Sequence, residues 1–203
     1  LQHGGSDFRN AQGKWTDRRH RGGNPKSRGN GRFLGGEIRS KFVKMIVPKV
    51  KVCGITRLED GQNALSLGAS FLGFILFKGS PRCIDSAEAV ALWRKLQPTD
   101  AFSVAVEVDP EPIRLREIKH LGFDFFQLHF PSSVDPDRVS EWAEIVGPER
   151  LWLAPRVHPS EPFPEQFLPF ADTFLTDAYS ADKFGGTGEI SDWKGFENLK
   201  VRF

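Results

Sequence analysis

Seven short apolar segments recur along the chain from residue 49 onward, separated by stretches that carry helix signals. The predicted strands are Lys49–Cys53, Phe71–Phe77, Phe102–Val108, Asp124–His129, Leu151–Arg156, Thr173–Asp177 and a start at Leu199–Phe203. Their starts lie 22 to 31 residues apart, the length of one strand, one helix and two short loops. Several segments are apolar almost throughout, which is typical of parallel strands covered on both faces. The pattern predicts an α/β fold with a parallel sheet, either closed into a barrel or open and doubly wound.

Capping signals mark where the intervening helices begin. Thr56 is predicted to cap the first helix, Asp85 to open a helix over 87–96 and Asp109-Pro110 to open one over 113–121, because Asp and Thr side chains cap helices and Pro favours the first turn. Residues 159–169 are rich in proline, which predicts that the fifth helix is short or irregular.

The first 44 residues differ from the rest in composition. They hold 11 Lys and Arg against 3 Asp and Glu, and 9 of the 20 glycines, whereas residues 45–203 hold 17 basic and 23 acidic residues. A segment with no apolar periodicity cannot offset its ordering entropy, so residues 1–44 are predicted to be a disordered basic tail. The one methionine, Met45, suggests a natural start there, with a non-native segment upstream. A basic arm that binds nucleic acid is the less favoured interpretation.

Composition also bounds the cellular setting. The longest apolar runs are too short to span a membrane, and no secretory signal is recognisable. Two cysteines are too few for a disulfide framework. We expect a cytoplasmic protein without a membrane partner, with residues 45–203 as its one folded domain.

Two reactive side chains stand at the ends of predicted strands. Cys53 ends the first strand and Asp177 ends the sixth, ahead of the glycine-rich loop Gly185-Gly186-Thr187-Gly188. The carboxyl ends of barrel strands are where catalytic groups gather. The simpler interpretation of Cys53 is a small buried apolar residue, which is what most free cysteines are.

The motifs around these residues resemble the phosphoribosylanthranilate isomerase family of tryptophan biosynthesis. The resemblance rests on Lys51-Val52-Cys53-Gly54-Ile55-Thr56-Arg57, Gly73-Phe74-Ile75, Ser80-Pro81-Arg82, Gln127-Leu128-His129, Asp177, Gly185–Gly188 and Asp192-Trp193, in order over residues 46–203. It implies a (β/α)₈ TIM barrel, of which about six βα units and the start of a seventh strand are present. It also implies an Amadori rearrangement of N-(5-phosphoribosyl)anthranilate to 1-(2-carboxyphenylamino)-1-deoxyribulose 5-phosphate, without a cofactor or a metal.

The resemblance also implies roles for particular residues. Cys53 would be the general base that takes the proton from C2 of the sugar, and Asp177 the general acid that protonates the ring oxygen. Arg82 would bind the anthranilate carboxylate. The other implied contacts to the phosphosugar substrate come from Gln127, His129, Gly185, Gly186, Thr187 and Gly188.

The chain departs from the family pattern at three places. The third strand carries Val106-Glu107-Val108-Asp109 where the family commonly has Phe and Asn. Phe130 stands where the family has glycine, and its ring would either narrow the site or point outward. The chain is also shorter than the family's barrel at its C-terminal end, where phosphate-binding loops are expected. We therefore expect open sheet edges that favour self-association. An inactive fragment, or a non-catalytic protein whose basic tail binds nucleic acid, is the alternative. A carboxylate-based phosphosugar isomerase is less well supported, because the first strand offers a thiol.

Overall fold

The computed structural model describes residues 48–98 and 100–177, which alternate strictly between strands and helices. The strands are β1 (Lys51–Cys53), β2 (Phe71–Ile75), β3 (Phe102–Val108), β4 (Phe125–Pro131), β5 (Leu151–Arg156) and β6 (Thr173–Phe174). The helices are α1 (Leu58–Ser66), α2 (Ser86–Leu96), α3 (Pro112–Lys119) and α4 (Pro136–Val146), and a 3-10 helix covers Glu165–Phe170. The six described strands confirm the predicted segments, and the short fifth helix is confirmed as well. The predicted strand at Leu199–Phe203 and the predicted tail 1–44 lie outside the described residues.

The strand order decides between a barrel and a doubly wound sheet. The described strands are all parallel and run β1-β2-β3-β4-β5-β6, so each strand pairs with its neighbours in sequence. A doubly wound sheet reverses its order at a switch point, and this one does not. The sequential order is that of a (β/α)₈ barrel.

Aromatic rings inside the sheet show how strongly it curls. The ring centroids of Phe71 on β2 and Trp152 on β5 are 4.9 Å apart, although two strands lie between them. In a flat sheet, strands three positions apart are separated by about 14 Å. Phe71, Phe102, Phe125 and Trp152 pack together on the concave face, so the six strands form a half-barrel with a filled interior.

The convex face of the half-barrel packs against the helices. Strand residues that alternate with the interior positions, such as Leu72 and Phe126, join helix residues such as Leu115 and Trp142 in one large buried cluster. This placement leaves the carboxyl ends of the strands free to carry polar side chains at one edge. We call this edge the mouth; it is lined by Lys51, Cys53, Arg82, His129 and Asp177.

Two of the predicted helix caps are wrong, although the helices themselves are confirmed. The residue preceding α1 is Arg57, with no side-chain cap, because the amides of Gly54 and Ile55 both donate to the carbonyl of Gly73 and extend the turn beyond Thr56. The helix predicted over 113–121 is α3, which begins at Pro112 after Glu111; Asp109 does not cap it, because its backbone is left-handed with φ of 42°. The third prediction is confirmed, since the Asp85 carboxylate accepts hydrogen bonds from the amides of Ala87 and Glu88.

Candidate active site

Cys53 lies at the end of β1 and faces the interior of the half-barrel. It is half-buried and free, and it packs against the interior aromatic cluster. Its register partner on β2 is Gly73. A Cβ atom at Gly73 would stand 2.8 Å from the Cys53 sulfur and 2.8 Å from the Lys51 ammonium nitrogen. The missing side chain of Gly73 therefore makes the space in which the thiol and the ammonium meet.

Gln127 and His129 of β4 form a buried polar pair inside the half-barrel. Only 5% of Gln127 and 9% of His129 are exposed, and the Gln127 amide nitrogen lies 2.6 Å from the His129 Nε2. With the amide nitrogen toward the ring, Nε2 accepts the hydrogen bond and Nδ1 carries the proton of the neutral imidazole. The Gln127 Oε1 has no hydrogen-bond partner among the described residues.

The charge state of His129 follows from its surroundings. Burial lowers the pKa of His129, the nearby Asp177 carboxylate raises it, and the Lys51 charge lowers it further. The net effect keeps the ring neutral at pH 7.

Asp177 follows β6 and stands beside His129. Its Oδ2 lies 3.6 Å from the His129 Nδ1, and 48% of the Asp177 side chain is exposed. The proton on Nδ1 therefore faces the carboxylate, with the acidic group open to solvent and to a ligand. Asp177 and Lys51 both act electrostatically on His129, so the structure brings the ends of β1, β4 and β6 to one site.

Arg82 reaches the mouth from the loop after β2. Its Nη1 donates a hydrogen bond of 2.9 Å to the carbonyl oxygen of Cys53. The side chain passes directly over Gly54, where a Cβ atom would come within 2.8 Å of the guanidinium, and the φ of +85° also favours glycine. One donor is used by the protein, so the remaining N–H groups of this exposed guanidinium can pair with a carboxylate.

Phe130 points away from the site. Its side chain is fully buried on the convex face, with ring centroids 5.4 Å from Trp142 and 5.3 Å from Phe167. Adjacent strand residues face opposite sides, so a residue that follows the inward His129 must face the helices. Of the two interpretations of Phe130, the outward one is confirmed.

The structure brings most of the predicted site residues to one end of the half-barrel, while their roles stay predictions. Cys53, Arg82, Gln127, His129 and Asp177 come together as expected. The predicted substrate contacts Gly185, Gly186, Thr187 and Gly188 lie outside the described residues. Lys51, at the start of the first motif, is a further polar residue of the mouth to which the sequence alone assigns no role. The signal that could have found it is the strand alternation, which puts residues 51 and 53 on one face.

Two further structural findings concern metal binding and membrane-spanning helices. Within residues 48–98 and 100–177, no group of three or more His, Cys, Asp or Glu side chains could hold a metal ion. Among the same residues, no helix is long and apolar enough to cross a membrane.

Comparison with known proteins bears on the whole domain. The family model described as N-(5'-phosphoribosyl)anthranilate (PRA) isomerase matches residues 50–202. The chain is 35% identical over 152 residues to the N-(5'-phosphoribosyl)anthranilate isomerase of Geobacter sp. (strain M21). The matched region covers 72% of this chain and 68% of that protein.

Solved structures are similar in the same way. The phosphoribosyl anthranilate isomerase of Thermus thermophilus has a TM-score of 0.61 at 30% identity, covering 76% of this chain and 72% of that one. Another phosphoribosyl anthranilate isomerase, in complex with reduced 1-(o-carboxyphenylamino)-1-deoxyribulose 5-phosphate, has a TM-score of 0.58 at 26% identity, covering 77% and 72%. These matches confirm the resemblance that the motifs predict, and the chain belongs to the N-(5'-phosphoribosyl)anthranilate isomerase family.

Proposed function

We propose that this protein isomerises N-(5-phosphoribosyl)anthranilate to 1-(2-carboxyphenylamino)-1-deoxyribulose 5-phosphate in tryptophan biosynthesis. Membership of the isomerase family supports the activity, and a relative with a solved structure binds a reduced form of this product. The observation that carries the proposal is the placement of a thiol and a carboxyl at one mouth, with the neutral His129 in contact with the carboxyl.

The two groups divide the chemistry between them. Asp177 donates a proton to the ring oxygen, the C1–O bond breaks, and the nitrogen lone pair forms a C1=N bond. The Cys53 thiolate then takes the proton from C2, and the C2–H electron pair forms a C1=C2 bond as the nitrogen becomes neutral. The resulting enol loses its hydroxyl proton and gains one at C1 to give the ketone. Protons move but no electrons leave the substrate, so the reaction needs no redox cofactor.

The other polar groups are suited to hold the substrate. The Arg82 guanidinium binds the anthranilate carboxylate with its free donors. The His129 Nδ1–H orients the Asp177 carboxyl, and the Gln127 Oε1 accepts a hydrogen bond from the bound sugar. The predicted substrate contacts at Gly185–Gly188 remain predictions.

The chemistry of Cys53 also sets the compartment. A cysteine that acts as a general base must be a free thiol rather than part of a disulfide. Both Cys53 and Cys83 are free in the structure. Thiols stay reduced in the cytoplasm, so we propose a cytoplasmic enzyme of a small phosphosugar. Self-association and nucleic-acid binding stay predictions.

Turnover of freshly generated phosphoribosylanthranilate tests the proposal. We expect turnover in this chain and a loss on the order of 10² to 10⁴-fold in both Cys53→Ala and Asp177→Asn. Cys83→Ala is the matched control, because it removes the other free cysteine and should retain turnover. Thermal unfolding of each variant would show that the fold survives. Full turnover in Cys53→Ala, or none in the unsubstituted chain, would contradict the proposal.

A further inference from the structure

Lys51 carries a positive charge into the interior of the half-barrel. It lies two residues before Cys53 on β1, so both side chains leave the same face of the strand. The Lys51 nitrogen and the Cys53 sulfur each stand 2.8 Å from the position of a Gly73 Cβ, so they are at most twice that distance, 5.6 Å, apart.

The ammonium of Lys51 makes no hydrogen bond or ion pair with any residue in the described part of the chain. The residue is half-buried, and a charge that loses solvent without gaining a partner costs free energy. Fold stability therefore gives no reason for a lysine at this interior position. A negative charge that forms at the mouth would satisfy it.

Besides Cys53, four charged or titratable groups line the mouth. Lys51 comes from β1, Arg82 from the loop after β2, His129 from β4 and Asp177 from the segment after β6. Arg82 already donates to the Cys53 carbonyl, and His129 is kept neutral by burial. Lys51 is thus the cation that β1 itself places beside the sulfur.

We propose that Lys51 is a positioning residue that acts through Cys53: its ammonium stands beside the sulfur and stabilises the negative charge that the sulfur carries when it acts as a base. This inference rests on the proposed function for its catalytic part. A thiolate beside a cation is the reactive form of cysteine. When the thiolate takes the C2 proton, the S–H bond forms, the C2–H bond breaks and its electron pair enters the C1=C2 bond.

Alkylation of Cys53 by iodoacetamide measures this effect without any substrate. The experiment uses the full chain carrying Cys83→Ala, so that one cysteine reacts. We expect Lys51→Met to slow alkylation at pH 7 at least about threefold, the effect of losing a unit charge at this separation in water, and up to about a hundredfold if the pair is shielded as charges near a protein surface are. At pH 10, where thiols ionise without help, the two rates should converge. Lys51→Arg, which keeps the charge, should recover most of the rate.

Lys49→Met is the matched control. Lys49 is exposed at the entrance to β1, with its ammonium 5.8 Å from the Phe71 ring centroid, so its removal should leave the alkylation rate unchanged. Equal alkylation of Lys51→Met and the parent at pH 7 would overturn the proposal, as would an equal slowing at pH 7 and pH 10, which indicates a packing defect.

Turnover separates this proposal from the proposed function. Lys51→Met should lower kcat with little change in KM, because the residue acts on the base rather than on the substrate. Slowed alkylation with unchanged kcat would overturn the catalytic part. Absence of turnover in the unsubstituted chain, with the alkylation effect intact, would refute the proposed function while the Lys51–Cys53 pairing stands.

Discussion

Gly73→Ala tests whether the empty space beside Cys53 is what permits catalysis. The new Cβ would stand 2.8 Å from both the Cys53 sulfur and the Lys51 nitrogen, whereas ordinary contacts begin at 3.4 Å. The sulfur must therefore retreat by about 0.6 Å or more, or turn to another rotamer. A displacement of about 1 Å at a reacting group can cost 10²-fold in rate, so we expect kcat/KM to fall about 10- to 100-fold.

The stability of Gly73→Ala should change much less than its activity. Overpacking costs about 1 to 3 kcal/mol, and replacing glycine in a strand recovers about 0.5 to 1 kcal/mol of backbone entropy. We expect a net loss of at most about 2 kcal/mol in the free energy of unfolding, measured by urea titration. Phosphoribosylanthranilate turnover and iodoacetamide alkylation would be measured on the same folded protein.

Gly61→Ala is the matched control for Gly73→Ala. A Cβ at Gly61 would also meet its nearest neighbour at 2.8 Å, but that neighbour is the flexible end of Leu96, between α1 and α2. The added methyl also improves helix propensity by about 1 kcal/mol. Gly61→Ala should therefore keep full turnover. If Gly73→Ala also kept full turnover and alkylation, the argument that Gly73 makes room for the reactive pair would be refuted.

Three other predictions concern stability, each measured by urea unfolding. Phe130→Ala should destabilise the fold by about 3 to 5 kcal/mol with kcat unchanged in the folded fraction, because the ring fills the convex core; a large kcat loss would contradict this. Burial raises the pKa of Glu107 although Arg114 opposes it, so the stability that this group contributes declines as the pH rises above about 4.5. Arg114→Met should lower the free energy of unfolding by about 1 kcal/mol at pH 7, where Glu107 is charged, and by less at pH 4.5. In the Glu107→Gln background, the effect of Arg114→Met should be the same at both pH values. Burial lowers the pKa of His129, so the unfolded state takes up the proton first and stability should fall as the pH drops below about 6.5; His129→Gln should flatten this slope, and an unchanged slope would count against it.

Strand positions could be predicted from the sequence, but strand order could not. Buried parallel strands are continuous apolar runs, so Phe102–Val108 and Leu151–Arg156 match the structure residue for residue. The spacing of such runs is the same in a barrel and in an open α/β sheet. The packing of Phe71 against Trp152 across two intervening strands is a tertiary contact, and no local pattern encodes it.

The helix starts show where hydrogen bonds to the sheet override local capping preferences. Thr56 has the side chain of a good cap, but the carbonyl of Gly73 takes the amides of both Gly54 and Ile55 and sets the course of the turn. Asp109 likewise bonds to β4 through its amide, which donates to the His129 carbonyl at 2.7 Å, and its carboxylate lies 3.2 Å from the Arg138 Nε. Each capping side chain is outcompeted by backbone hydrogen bonds to a neighbouring strand.

The site residues could be predicted only as far as their chemistry is visible in the sequence. Cys53 and Asp177 are reactive types at strand ends, so motif and position both point to them. A lysine within a strand is usually a surface residue, and the role proposed for Lys51 depends on the absence of a side chain at Gly73, on a different strand. A residue whose importance lies in the space left by another cannot be found without the register that joins them.

The alternation of the strands separates activity from stability in this domain. On β4, Gln127 and His129 face the mouth, while Leu128 and Phe130 face the helices and belong to the large core cluster. Substitutions at the first pair should therefore change the rate or pH dependence of the reaction with modest effects on unfolding, and substitutions at the second pair should do the reverse. The same argument explains why a phenylalanine can stand after His129 at all: its ring occupies the core between β4, α4 and the 3-10 helix, so it fills volume there without narrowing the mouth.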